Sequence, residues 1–135
     1  MVHARSARIV AVDDDERTLR LLVDALGSES QHVLTFDSGE LAVSYLDEVN
    51  DCALLILDVE MPEMDGFEVA RAVRRRHRLA GMPILALTGM MGSDVPVRIL
   101  EAGADAYLAK PVDIRELRQM VADLLRGAAG YSAPV

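Results

Sequence analysis

Asp13-Asp14, Asp58, Thr88 and Lys110-Pro111 each stand at or just past the end of a short apolar run. The runs are residues 9–12, 53–57, 84–87 and 106–108, each of a length and character that reads as a buried β-strand. In an open parallel sheet, residues beyond the carboxyl ends of the strands line one edge, and that edge is where such folds build their sites. Three carboxylates, one hydroxyl and one ammonium group are thereby expected at one spot. Hard oxygen donors of this kind suit Mg²⁺. Together with a cation and a hydroxyl donor they suit a phosphoryl group.

Strand and helix patterns alternate five times around these residues. Leu19, Leu22, Val23 and Leu26 give a helical stripe closed by Gly27, and residues 33–36 read as a second strand. Leu41, Ala42, Tyr45, Leu46 and Val49 form a second stripe, and Phe67, Ala70 and Val73 a third, preceded by the loop Met61-Pro62-Glu63-Met64-Asp65-Gly66 with Asp65 as a cap. Asp94 is placed to cap a short fourth helix with Pro96 in its first turn, ending near Gly103. Asp113 is placed to cap a fifth, carrying Ile114, Leu117, Val121 and Leu124 and stopped by Gly127. This alternation predicts a doubly wound α/β fold: a five-stranded parallel sheet of flavodoxin-like order 2-1-3-4-5 with five helices. In that order strands one and three are neighbours at the switch point, so Asp13-Asp14 and Asp58 flank one crevice.

The chain of 135 residues is long enough for one core. The compact unit is expected over residues 1–127, with a loose, small-residue tail at 128–135. A net charge of −8 speaks against a direct nucleic-acid binder. No apolar run is long enough to cross a bilayer. The single cysteine, Cys52, rules out an intrachain disulfide and a thiolate cage, and a reducing, cytoplasmic setting is expected. The cluster Arg74-Arg75-Arg76-His77-Arg78 reads as a helix end whose cations answer the macrodipole. His3, His32 and His77 have no metal-ligand spacing and read as surface residues.

The string Ile9-Val10-Ala11-Val12-Asp13-Asp14-Asp15-Glu16 resembles the opening of response-regulator receiver domains, the phosphoacceptor modules of two-component signalling. Leu55-Ile56-Leu57-Asp58-Val59-Glu60-Met61-Pro62-Glu63-Met64-Asp65-Gly66 is similar to their phosphorylation segment. Leu85-Ala86-Leu87-Thr88-Gly89 and Gly103-Ala104-Asp105-Ala106-Tyr107-Leu108-Ala109-Lys110-Pro111 match the two remaining signatures. Four ordered motifs carry far more weight than any one of them.

The resemblance implies Asp58 as phosphoacceptor, with Asp13, Asp14, Asp58 and the backbone carbonyl of Glu60 as ligands of Mg²⁺, or of Mn²⁺ in its place. It implies Lys110 and Thr88 as the groups that meet the phosphoryl oxygens, and Thr88 and Tyr107 as switch residues. Gly89 would leave room for that movement, and Pro111 would form a cis peptide that orients Lys110. Glu60 and Met90 fall at positions that in the family tune phosphoryl lifetime. The implied partners are a sensor histidine kinase or histidine-phosphotransfer protein and a downstream protein target, with neither nucleic acid nor membrane contacted directly. With no room for an output domain after Gly127, output is expected through protein contact or phosphate relay, from a stand-alone receiver or one cut from a longer regulator or hybrid kinase.

Taken singly, each residue has a plainer role: Asp14 or Asp15 as a cap of the first helix, Thr88 as a strand-end residue, Lys110 on the surface, Tyr107 half-buried. Their joint placement at one edge outweighs those roles. Two other functions compete with the phosphoacceptor. One is a small Mg²⁺-dependent aspartyl-phosphate phosphohydrolase using Asp58, although Asp58-Val59-Glu60-Met61-Pro62 lacks the threonine such enzymes carry. The other is a scaffold that binds without being phosphorylated.

Overall fold

The apolar runs form one sheet in the computed structural model, which describes residues 7–49 and 51–128. Its strands are β1 (Ala7–Val12), β2 (Gln31–Phe36), β3 (Cys52–Asp58), β4 (Ile84–Thr88) and β5 (Ala106–Ala109). All pair in parallel in the order β2-β1-β3-β4-β5. Between them run α1 (Glu16–Leu26), α2 (Gly39–Glu48), α3 (Gly66–Arg74), α4 (Val95–Ala102) and α5 (Ile114–Ala128), with a 3₁₀ turn at His77–Leu79. The flavodoxin-like, doubly wound architecture is the one the alternation predicts.

The interior strands are apolar on both faces because helices cover both. Val10, Val12, Leu55, Leu57, Ile84 and Ala86 pack with Ala42, Leu46, Val69, Val73 and Ile99 on the α2–α3–α4 side. Ile9, Ala11, Leu54, Ile56, Leu85 and Leu87 pack with Leu19, Leu22, Leu117 and Val121 on the α1–α5 side. Register then fixes the site. Val12 pairs with Leu57, so Asp13 and Asp58 emerge side by side; Asp58 pairs with Leu87, and Thr88 with Ala109.

Several local expectations change. Val23 is 39% exposed and Leu41 57% exposed, and the buried face of α2 is Gly39, Ala42, Val43 and Leu46. A ten-residue helix admits two overlapping stripes, and the side chain of Ser38, accepting the Leu41 N–H, fixes the start of the turn that selects this one. Tyr45 is half-buried at the margin of the core with its ring 5.3 Å from that of Phe36, and Val49 lies past the helix as its C-cap. Asp94 occupies the N-cap position of α4 but its backbone is already helical (φ −87, ψ −15), so its side chain makes no capping bond. Pro96 does sit in the first turn, and the eight-residue helix ends at Gly103. Asp65 and Asp113 cap as expected, accepting the N–H groups of Glu68 and Glu116. Gly127 does not stop α5, which reaches Ala128. The expected loose tail beyond it, like His3, lies outside the described residues, while His32 and His77 are exposed.

The basic cluster does answer helix carboxyl ends, but chiefly those of other helices. Arg78 donates to the carbonyls of Leu46, Asp47 and Val49 at the end of α2, and Arg76 pairs with Asp47. Arg74 donates to the carbonyls of Gly103 (2.9 Å), Leu79 (3.2 Å), Ala80 (3.1 Å) and Met82 (2.7 Å), and pairs with Asp105 at 2.9 Å. Asp105 also accepts the Ile84 N–H at 2.8 Å. Gly103, at φ 120, is required twice over: a Cβ there would lie 2.5 Å from Arg74 Cγ.

Arg74 thus ties the ends of α3 and α4 to the starts of β4 and β5. Arg74→Met is expected to lower stability by roughly 2–4 kcal/mol, since several partly buried carbonyls lose a charged donor together. Arg74→Lys is expected to restore less than half, because an ammonium cannot span the planar fan of acceptors. Urea unfolding of the three proteins checks this; a loss near zero for Arg74→Met would mean that water serves those carbonyls equally well.

Candidate functional site

Each aspartate of the first acidic triplet has a separate task. Asp15 caps α1 by accepting the Arg17 N–H at 2.9 Å. Asp13 is fully buried; its Oδ1 accepts the Asp15 N–H at 2.8 Å, and its Oδ2 accepts from Lys110 Nζ at 2.9 Å. Asp14 is exposed and points toward the same crevice: one carboxylate oxygen from each of Asp13, Asp14 and Asp58 lies within 4.8 Å of the others.

Asp58 closes β3 and is only 2% exposed. Its Oδ1 accepts the Glu60 N–H at 3.2 Å and stands 3.1 Å from Lys110 Nζ. Lys110 therefore sits between two buried carboxylates from neighbouring strands. The peptide bond joining it to Pro111 is cis, as the resemblance implies. Thr88, also buried, ends β4; its Oγ1 accepts the Met90 N–H at 2.9 Å and its carbonyl accepts the Lys110 N–H at 2.8 Å. Gly89 donates its N–H to Glu60 Oε1 at 2.8 Å. Tyr107 lies on the edge strand β5, 39% exposed. The structure thus gathers Asp13, Asp14, Asp58 and Lys110 tightly, sets Thr88, Gly89 and Glu60 around them through the strand ends, and leaves Tyr107 on the outer surface.

Two contacts escaped the sequence, although the resemblance had already marked Glu60 as a position that tunes phosphoryl lifetime. The Glu60 side chain, as distinct from its carbonyl, joins the loop after β3 to the loop after β4. Gly66, the first residue of α3, packs directly on the backbone at the end of β3: a Cβ would lie 2.4 Å from the Asp58 carbonyl oxygen and 2.6 Å from Val59 Cα. The only signal for it was a glycine at a helix start already capped by Asp65, where no turn requires one.

Electrostatics follow from this crowding. Burial, and after it the negative charge of Asp13, push the Asp58 carboxyl up to about 6 against the pull of Lys110. Burial works against charge on Lys110, but its bonds and attraction to Asp13, and then to Asp58, outweigh it and hold the ammonium above its usual range. Three close carboxylates opposed by a single ammonium make an acidic pocket of hard oxygen donors, the chemistry that Mg²⁺ and Mn²⁺ prefer.

A carboxyl raised in the folded state ionises first in the unfolded chain, so stability falls as pH rises from about 4 to about 6 and the deficit persists above. Asp58→Asn is accordingly expected to stabilise the metal-free protein by about 1–2 kcal/mol at pH 7, after allowing for the partner Lys110 loses. That gain should shrink toward zero below pH 4; a gain independent of pH would remove charge repulsion as its cause. Gly66→Ala is expected to cost about 1–3 kcal/mol through overpacking against backbone that cannot yield. Thermal melts would show it, and an unchanged melting temperature would mean that α3 can shift freely.

With this geometry in hand, the likenesses to known proteins are specific. The family model of the response regulator receiver domain matches residues 9–122. The cell cycle response regulator CtrA of Brucella ovis is 34% identical over 128 residues, covering 95% of this chain and 54% of that protein. The chain thus spans about half the length of the curated relatives it matches. The chemotaxis protein CheY4 of Vibrio cholerae superposes with a TM-score of 0.81 at 28% identity, covering 88% of this chain and 98% of that one. The receiver domain of a signal-transduction histidine kinase from Syntrophus aciditrophicus gives 0.84 at 29% identity, covering 96% and 98%. The chain belongs to the response regulator receiver domain family of two-component signalling.

Proposed function

We propose that Asp58 accepts a phosphoryl group from a phosphohistidine on a sensor histidine kinase or a histidine-phosphotransfer protein. The observation that carries this reading is a buried carboxylate bonded to Lys110, with Asp13 and Asp14 within metal-binding reach. An Asp58 oxygen attacks phosphorus as the P–N bond of the donor breaks, and the bonding electron pair returns to the imidazole nitrogen. Asp13, Asp14, Asp58 and the Glu60 carbonyl would hold Mg²⁺, with Mn²⁺ as an alternative. When bound, the ion neutralises charge on the transferring phosphoryl group.

Lys110 does the same from the protein side, moving from the Asp58 carboxylate to a phosphoryl oxygen while keeping its bond to Asp13. The Thr88 hydroxyl, which accepts from Met90 N–H, keeps its own proton to donate to another phosphoryl oxygen. That draw on the loop after β4 lets Tyr107 turn inward and alters the β4–α4–β5–α5 surface seen by a downstream protein, or leaves the phosphoryl group available for relay. The change is a shift between two populations of one fold. On this reading the chain assists its own phosphorylation and dephosphorylation and turns over no external substrate. It works in the cytoplasm, alone or within a longer regulator or hybrid kinase, without direct contact to nucleic acid or membrane.

Acetyl phosphate with and without Mg²⁺, read by intact-protein mass, tests this. Wild type is expected to gain a single phosphate only with Mg²⁺, and Asp58→Asn to gain none. No adduct on wild type would favour a scaffold that is never phosphorylated, and steady turnover of an added phosphomonoester would favour the phosphohydrolase.

A further inference from the structure

Glu60 touches both the phosphoacceptor and the loop that follows β4. Its backbone N–H donates to Asp58 Oδ1 at 3.2 Å, while its side-chain Oε1 accepts the Gly89 N–H at 2.8 Å. The next amide of the loop, Met90 N–H, is held by Thr88 Oγ1 at 2.9 Å. The first two N–H groups after β4 are therefore both engaged, one of them by a charged acceptor. A carboxylate–amide bond is about twice as strong as a neutral one. Glu60 is itself exposed, so packing does not hold its side chain in place. A Cβ on Gly89 would lie 3.3 Å from Glu60 Oε1, which shows how closely the carboxylate lies against the loop.

We infer that the Glu60 carboxylate is a charge-released latch: it pins the β4–α4 loop through the Gly89 N–H while Asp58 is unmodified, and lets go when Asp58 carries a phosphoryl group. The inference rests on Asp58 being the phosphoacceptor. A phosphorylated carboxylate carries more negative charge and more acceptor oxygens than a free one. The Glu60 main chain is tethered two residues from Asp58, so its carboxylate can escape that repulsion only by swinging away, which surrenders Gly89. Release frees the amide and removes the restraint on Thr88, one residue earlier in the chain. Glu60 is thus a positioning residue, and the latch lowers apparent affinity for the phosphoryl group by holding the loop in the other state.

Beryllofluoride with Mg²⁺ serves as the phosphoryl stand-in, its adduct counted by ¹⁹F NMR while backbone amides of ¹⁵N-labelled protein report on Gly89 to Gly92. In wild type those resonances are expected to move on loading. In unloaded Glu60→Ala they should already lie partway along the same displacement, and beryllofluoride should bind roughly 3- to 10-fold more tightly. Unloaded Glu60→Gln, which keeps an acceptor without the charge, should coincide with unloaded wild type and cover only part of the wild-type displacement when saturated. Glu60→Ala coinciding with unloaded wild type, or Glu60→Gln moving the full distance, would overturn the latch even though the adduct forms. No adduct on wild type would instead overturn the phosphoacceptor reading beneath it.

Discussion

Two like charges buried side by side are the constraint on which the rest of the structure depends. Asp13 and Asp58 emerge from adjacent parallel strands with almost no exposed surface, and one ammonium group lies between them. Removing a charge from water costs several kcal/mol unless partners compensate it. Here the compensation is incomplete, since Asp58 is pushed up to about 6 despite Lys110. The fold therefore carries a local electrostatic deficit that a cation can relieve. Lys110 belongs to the loop after β5, so the same pair ties an edge strand to the centre of the sheet.

The two ends of that sheet are held differently. At the end remote from the site, Arg74 and Arg78 each gather several carbonyls, and Asp105 ties Arg74 to the start of β4. Those bonds fix where the strands begin. At the site end, the loop after β4 is held by single bonds, Glu60 to Gly89 and Thr88 to Met90, and Met91 is 94% exposed. Segments with few buried contacts open at low free-energy cost. On the proposed function, rigidity at one end and economy at the other would let charge at Asp58 reposition a loop without disturbing the core.

Much of this was legible in the sequence, for reasons that differ by residue. Strands 53–57 and 84–87 were plain because a sheet covered on both faces demands unbroken apolar runs. The cluster of Asp13, Asp14, Asp58 and Lys110 followed from topology, since parallel strands deliver their carboxyl ends to one edge. What was not legible depends on fractions of a helical turn or on atoms in contact. The exposed Leu41 and buried Val43 are separated only by which residue starts α2. Asp94 has the right chemistry for a cap and the wrong backbone angles. Gly66 acts by packing on the nearby backbone of Asp58 and Val59, and the side chain of Glu60 by a bond to the distant loop at Gly89, and no local pattern encodes either contact.

The failed cap at Asp94 bears on how a small displacement could travel. A side-chain cap contributes about 1 kcal/mol to a helix start, and α4 has none. Its eight residues are held instead by Val95, Ile99 and Ala102 against the core and by Arg98 over the Phe67 ring at 4.6 Å. Its outer face leaves Val97 and Leu100 about half exposed. The helix directly after the loop is thus anchored along one stripe and has no side-chain cap at its entrance, where a movement of the loop would arrive. Coupling between a site and a surface needs an element with two arrangements of similar free energy. On the proposed reading the segment from Gly89 to Asp94 supplies that element, because the polar bonds that hold it, Glu60 to Gly89 and Thr88 to Met90, lie within reach of charge at Asp58.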